Sequence, residues 1–451
     1  PVQPPTTGSD NSDDPRPPPT PGQCIQELDF LRQSQPQLKL SDRVSYSRRC
    51  IQPVFSGSNR TEVGNISDSL FGHQILVNIE QCQDVRLPRC VPIRLPVSKP
   101  YPRKKYPHFI FGIATDYTRL AGSLDGFAHW LSNTDSKLVA VVTDMHMHNS
   151  TQINNLKLDF QHAGVDVVFE KPFDAKHSTS QSHFMVLVHM LALGDAASAP
   201  TRWYGLLDDD TFYPSLHPLD DALSALDHNR DFYVGTLSED FNAIRNFGFM
   251  AFGGAGAYIS APLARKLGAN AAACVERPTE GDIILRDCVY RHSKAKLTML
   301  PGLYQQDMKG DASGFFESGV QALNFHHWKS WFKAPVVKMA ATANYCGDCL
   351  MQRWRFGVDE VLANGYSIAK YRDGLETLDL DRMEGTWEQA SHNFDFSIGP
   401  FRQRLGPELK KSYRLEEAKI EESRAGGLRQ LYVHRGNHSS GEFDEVVELV
   451  W

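Results

Sequence analysis

The run Leu206-Leu207-Asp208-Asp209-Asp210-Thr211-Phe212 places three carboxylates where an apolar stretch leaves the core. Like charges crowded together there are unfavourable without a cation. Oxygen ligands suit a hard divalent ion, Mn²⁺ or Mg²⁺, which can bridge carboxylates to a diphosphate and neutralise the charge on a departing nucleotide. In isolation such a triplet is more often a capping acidic turn, so the weight falls on its company. Phe252-Gly253-Gly254-Ala255-Gly256-Ala257-Tyr258 puts glycines where a backbone must approach a ligand closely. It is not a phosphate-cradling P-loop, because no Gly-Lys-Ser/Thr follows. Glu280-Gly281-Asp282-Ile283-Ile284 opens a helical stretch ending at Cys288. There Asp282 is a candidate general base, since sugar transfer with inversion needs one carboxylate to take the acceptor hydroxyl's proton. Leu323-Asn324-Phe325-His326-His327-Trp328-Lys329 carries two adjacent imidazoles, one of which can complete the shell of a borderline metal such as Mn²⁺. Neighbours on a strand face opposite ways, so only one of the two is expected to point at the site.

These groups need a scaffold, and the central part of the chain supplies its pattern. The runs 108–115, 137–144, 165–170 and 202–210 read as strands, separated by segments of helical spacing near 122–132, 150–163 and 178–195. That alternation predicts a parallel or mixed α/β sheet flanked by helices, with Thr115, Asp144 and the triplet 208–210 converging on the rim at the carboxyl ends of the strands. Residues 1–22 are rich in Pro, Asp, Ser and Thr and read as a disordered stem or linker. Residues 23–105, with four cysteines, read as a disulfide-pinned N-terminal subdomain with little regular structure, followed by a catalytic domain over 106–335. The remainder, 336–451, reads as a C-terminal accessory region, β-rich, with a charged amphipathic helix at 408–422 and a hairpin formed by 428–435 and 442–451.

The 451 residues are 41% hydrophobic, enough for a sizeable core, and the net charge of -7 excludes a binder of the nucleic-acid backbone. Eight cysteines, an even set, are expected to pair as near neighbours in sequence; Cys346-Gly347-Asp348-Cys349 lacks a second CxxC and reads as a small structural disulfide. Together with sequons at Asn59, Asn65, Asn149 and Asn437, this points to the oxidising secretory route. Nothing in the chain approaches the ~20 apolar residues of a membrane span, so any signal or anchor is expected to lie outside it.

The order of a strand-end Asp-Asp-Asp, a Gly-Gly-Ala-Gly turn, an acidic segment six residues before a cysteine and then Phe-His resembles the Fringe-like β1,3-glycosyltransferases, glycosyltransferase family 31, over about 108–330. Trp328-Lys329-Ser330-Trp331 and the segments CGDCLMQRWRFG (346–357) and NGYSIAKY resemble the fungal branch. The resemblance implies a GT-A fold, an inverting mechanism, Mn²⁺ or Mg²⁺ and a UDP-sugar donor. It implies Asp208, Asp210 and His326 as metal ligands, with His327 the fallback, and Asp282 as catalytic base. Thr115, Arg119, Asp144, Asp208 and Asp209 would meet the nucleotide-sugar, and Gly253, Gly254, Ala255 and Gly256 would line the donor sugar and acceptor side. Two positions depart from the family: Gly281, where relatives carry an acid before the base, and Arg286, where they carry glycine. Relatives transfer N-acetylglucosamine, galactose or galactofuranose to a glycan or glycoprotein acceptor as Golgi type II membrane proteins. The fungal-type tail favours a galactose-type sugar, galactofuranose included. The competing expectations are a β-1,3-N-acetylglucosaminyltransferase of the same fold, a hydrolytic or phosphoryl-transfer metalloenzyme, and a non-catalytic glycan-binding relative.

Overall fold

The structure, a computed structural model, describes residues 24–57, 60–276, 279, 281–390, 394–421 and 427–451. The expected stem over 1–22, the sequon at Asn59 and Glu280 lie outside the described residues. The four β-branched and aromatic runs form strands at Phe109–Thr115, Lys137–Val142, Asp166–Glu170 and Trp203–Leu206. All pair in parallel, with Phe109–Thr115 lying between Lys137–Val142 and Trp203–Leu206. Ala257–Ser260 adds antiparallel to Trp203–Leu206, Tyr233–Gly235 antiparallel to that, and Leu297–Met299 parallel at the edge. Taken in chain order, the strands lie 3-2-1-4-6-5-7 across the sheet. This is the mixed, Rossmann-like sheet expected, and its winding reverses between Phe109–Thr115 and Trp203–Leu206.

That reversal is where ligands bind in open α/β sheets, beyond the carboxyl ends of the strands. Phe109–Thr115 is covered by helices on both faces and accordingly almost wholly apolar and buried. Helix Thr179–Asp195 crosses it at Gly112, where a Cβ would meet Met190 Sδ at 2.3 Å. This helix and Ser150–His162 both begin on capping boxes, Ser178 with Gln181 and Asn149 with Gln152, which satisfy the free N–H groups of the first turn and fix where each helix starts.

A second sheet of ten strands draws on both ends of the chain. Arg43–Phe55 pairs with Asp444–Val450, Ile75–Asn78 and Pro92–Val97, and Val63–Ile66 pairs with Arg353–Phe356. The N-terminal segment therefore holds a 13-residue strand where little regular structure was expected, and it shares its sheet with the segment expected to form a separate C-terminal region. Cys274–Cys288 and Cys346–Cys349 join near neighbours, but Cys24–Cys82 and Cys50–Cys90 interleave. Cys50 lies opposite Pro92 in the parallel pairing of Arg43–Phe55 with Pro92–Val97, which brings Cys90 beside it. No cysteine is free. Asn65, Asn149 and Asn437 are exposed. Among the described residues no helix is long and apolar enough to cross a membrane.

The expected hairpin is present as Gly427–His434 against Asp444–Val450, but the helix expected over 408–422 is instead a strand, Lys410–Glu421. Its charges mislead because their partners come from far along the chain. Lys410 is buried between Glu317 at 2.6 Å and Glu384 at 2.7 Å, and Arg414 reaches Glu317 at 3.1 Å. A charge pattern that reads as a solvated helix is in fact a strand whose cations are matched inside.

Candidate active site

Trp203–Leu206 delivers the acidic triplet to the carboxyl edge of the sheet, and a short antiparallel bridge brings the histidines to it. Phe212 N–H donates to Phe325 O at 2.8 Å and Phe325 N–H to Phe212 O at 2.7 Å. Asp210 precedes one end of this bridge and His326 follows the other. His326 Nε2 consequently lies 3.3 Å from both Asp208 Oδ2 and Asp210 Oδ1. On the far side of the ring, Nδ1 is 2.7 Å from the Gln305 carbonyl oxygen, which can only accept, so Nδ1 carries the proton and Nε2 faces two carboxylates. A lone pair aimed at two anions requires a second proton or a cation. Absent a cation the ring takes the proton. Burial opposes this, yet the hydrogen bonds to Asp208 and Asp210 hold His326 well above its ordinary pKa. In return, although burial opposes it too, the ring holds Asp208 down to about 2. One imidazole nitrogen and two carboxylate oxygens converging in this way fit Mn²⁺ or Mg²⁺.

Adjacent histidines were expected to face opposite ways, and they do not. His327 adopts the left-handed region, φ 59°, which folds both rings to one side with centroids 3.7 Å apart. Asp210, His326 and His327 accordingly offer potential ligand atoms within 4.8 Å of one another. His327 Nε2, however, lies 3.2 Å from Asp307 Oδ1 and its ring stacks on Trp331 at 4.2 Å. It is His326 that faces both acids.

The triplet does not act as one cluster. Asp209 turns to Arg119, whose Nε donates to its Oδ2 at 3.0 Å, while the arginine side chain remains 57% exposed. Arg119 is set by Asp116, which caps helix Tyr117–Ala121 by accepting the Arg119 N–H at 2.8 Å. Thr115 is buried at the end of its strand, its carbonyl accepting the Thr143 N–H at 2.9 Å. Asp144 accepts the Tyr117 N–H at 2.9 Å and lies 3.1 Å from His148 Nε2, and the Tyr117 and His148 rings stack at 4.2 Å. These residues share the rim expected of them.

Asp282 sits in the first turn of helix Gly281–His292, braced by Cys274–Cys288. Its Oδ2 accepts the Gly253 N–H at 2.8 Å, and burial, aided by the charge of Asp208, pushes its pKa up to about 6. The glycine turn has a specific reason to be glycine. A Cβ on Gly253 would meet Asp282 Oδ1 at 2.5 Å, and one on Gly254 would meet His326 Cε1 at 2.0 Å. Gly253 to Gly256 are buried, so the close approach they permit is that of the protein's own Asp282 and His326 side chains. Gly254→Ala is therefore expected to displace the His326 ring and weaken Mn²⁺ binding by about 10-fold or more, measured by titrating Mn²⁺ and following the free-ion electron paramagnetic resonance signal.

The two departures from the family pattern are accommodated locally. A Cβ on Gly281 would meet His183 Nδ1 at 3.1 Å, so the missing side chain makes room for an imidazole whose Nε2 bonds Leu207 O at 3.1 Å and lies 3.8 Å from Asp208 Oδ1. Arg286 donates through Nη1 to Phe247 O at 2.5 Å, tying the helix that carries Asp282 to the end of helix Phe241–Phe247. Sequence reasoning missed His183, Glu239 and the run Gln305-Gln306-Asp307. The only signal for the last was three polar residues together after Leu-Pro-Gly-Leu-Tyr, since their partners lie far away in the chain.

A family model described as a protein of unknown function, DUF604, matches residues 242–336. That stretch holds Gly253 to Gly256, Asp282, His326 and His327, though not the acidic triplet. Among curated proteins, none matches the chain. Solved structures with partial similarity include 4-diphosphocytidyl-2C-methyl-D-erythritol synthase from Anaerococcus prevotii, at 13% identity, TM-score 0.28, covering 43% of this chain and 90% of that one. An active-site mutant of LgtC follows at 10% identity, TM-score 0.31, covering 52% and 94%. Apo mouse xyloside xylosyltransferase 1 stands at 12% identity, TM-score 0.28, covering 43% and 84%. Similarity this slight carries no argument about activity.

Proposed function

We propose that this protein is a metal-dependent, inverting glycosyltransferase that moves a galactose-type sugar, galactofuranose included, from a UDP-sugar to a hydroxyl of a glycan acceptor. The observation that carries the reading is the convergence of Asp208, Asp210 and His326 Nε2 within 3.3 Å contacts at the switch point, with Asp282 held beside them on the glycine turn. Asp208, Asp210 and His326 would hold Mn²⁺ or Mg²⁺. When bound, the metal supplies Lewis-acid stabilisation of the diphosphate leaving group. Asp282 takes the proton of the acceptor hydroxyl as that oxygen bonds to the anomeric carbon. The bond to the diphosphate breaks on the opposite face with its electron pair, which inverts the centre. Arg119, paired with Asp209 yet more than half exposed, is placed to meet the nucleotide's phosphates from the rim. Phe249, 68% exposed just beyond the end of helix Phe241–Phe247 that Arg286 ties to the base's helix, is placed to meet the acceptor. Four disulfides and three exposed sequons support a lumenal, secretory setting such as the Golgi, and the resemblance to family 31 supports a membrane-anchored form.

The test is release of UDP from a panel of UDP-sugars, galactofuranose, galactose and N-acetylglucosamine among them, with Mn²⁺ or EDTA and mannose- and galactose-based acceptors. Release from one donor that depends on Mn²⁺ and is stimulated by an acceptor is the expected result. UDP·Mn²⁺ binding without any release would favour a non-catalytic glycan-binding role, and absence of both would overturn the nucleotide-sugar reading.

A further inference from the structure

The loop that orients both histidines hangs on a residue outside the metal and base machinery. Glu239 is 3% exposed and ends the segment that follows strand Tyr233–Gly235. Its Oε1 accepts the Gln305 N–H and its Oε2 the Gln306 N–H, each at 2.8 Å. One residue earlier, Ser238 Oγ donates to Asp307 Oδ2 at 2.6 Å. Three consecutive residues, 305 to 307, are thus fixed by two. This loop supplies three hydrogen-bonding contacts to the His326–His327 pair. Gln305 O receives the His326 Nδ1–H at 2.7 Å, Gln306 Oε1 receives the His326 backbone N–H at 2.6 Å, and Asp307 Oδ1 lies 3.2 Å from His327 Nε2. Gln305 Oε1 also accepts the Ala255 N–H at 3.0 Å, which locks the glycine turn beneath the same ring. Gln306 sits in the left-handed region at φ 59°, a conformation that a non-glycine residue holds only when its surroundings impose it.

Resting on the metal site proposed above, we infer that Glu239 is the positioning residue that sets His326: its carboxylate clamps the Gln305–Gln306 backbone so that the Gln305 carbonyl takes Nδ1–H and Nε2 is presented to the Asp208–Asp210 pair. A carboxylate suits the task because both its oxygens accept, whereas an amide of the same shape offers one acceptor and one donor to two N–H groups. Groups that orient a ligating imidazole through its other nitrogen are typically worth about 10–100-fold in metal affinity.

The experiment compares wild type, Glu239→Gln and Glu239→Asp as whole chains, titrating Mn²⁺ in the presence of UDP and recording electron spin-echo modulation from nitrogen coupled to the bound Mn²⁺. Glu239→Gln is expected to bind Mn²⁺ about 10-fold or more weakly and to lose the imidazole nitrogen modulation while its circular dichroism is unchanged. Glu239→Asp, which keeps two acceptors on a shorter stem, should recover part of both. A purely structural role would lower stability without removing nitrogen coupling from the metal that still binds. Wild-type affinity and modulation retained in Glu239→Gln, or in Glu239→Ala should the glutamine variant not fold, would overturn the inference and leave the metal site standing. Failure of wild type itself to bind Mn²⁺ with nitrogen coupling would instead remove the metal site and this inference with it.

Discussion

Asp282→Asn is expected to lower the rate of sugar transfer by about 10³-fold, within the range a positioned general base contributes, while leaving Mn²⁺-dependent UDP binding close to wild type. The substitution isolates the proton-accepting role because little else is disturbed. The Asn carbonyl can still accept the Gly253 N–H that now bonds Oδ2 at 2.8 Å, and the crowded space under Gly253 is filled by an atom of similar size. The amide, however, cannot take a proton from an acceptor hydroxyl. The pH profile supplies a second readout with a definite sign. Burial and the nearby Asp208 charge raise the Asp282 pKa to about 6, so the base is protonated and idle below that pH and competent above it. Transfer by the wild type should therefore rise as pH increases through about 6 and level off. Because a cation at Asp208 would cancel part of the charge that raises Asp282, saturating Mn²⁺ should move this limb to lower pH, never higher. Loss of UDP binding in Asp282→Asn would contradict the assignment and place Asp282 in the donor site.

How much of this was legible beforehand follows from how local each signal is. The parallel strands announce themselves because each is apolar over its whole length and ends in a polar residue at the rim, as in 108–115 and 202–210. The triplet, Asp282 and His326 could be singled out because each sits in a short run with unusual neighbours. What the sequence could not express was how charge is shared among partners distant along the chain. Asp209 looks equivalent to its two neighbours until Arg119, 90 residues away, claims it. Lys410 looks like one more helix-surface charge until Glu317 and Glu384 enclose it. The glycine turn is a subtler case. Gly253 and Gly254 were read as sites where the backbone approaches a ligand, whereas the groups that approach them are Asp282 and His326, 29 and 72 residues further on in sequence. His327 escaped because alternation assumes extended backbone, and its positive φ breaks that assumption at a single residue.

Asp210→Ala should abolish both turnover and Mn²⁺-dependent UDP binding in a protein that still folds. Asp210 is 7% exposed in its side chain and supplies one of the two carboxylate oxygens at 3.3 Å from His326 Nε2. Without it, His326 and Asp208 alone face the metal, and a hard divalent ion left with one carboxylate and one imidazole is held too weakly to anchor a diphosphate. Folding survives for reasons of local geometry. The backbone carbonyl of residue 210, which accepts the Trp328 Nε1–H at 2.8 Å, is untouched, and so is the Phe212–Phe325 bridge that holds the two segments together. Removing Asp210 also relieves its repulsion with Asp208, so the usual penalty for breaking a buried pair is offset, and His326 keeps one anionic partner. Asp209→Asn gives the contrast that makes the result specific. It loosens Arg119 without removing a ligand, so Mn²⁺ binding should persist while UDP affinity changes. Calorimetric titration of UDP with and without Mn²⁺ across the two variants reads both effects. Mn²⁺-dependent UDP binding that survives in Asp210→Ala, or that is lost only in Asp209→Asn, would place the cation on other carboxylates and overturn the assignment of this pair.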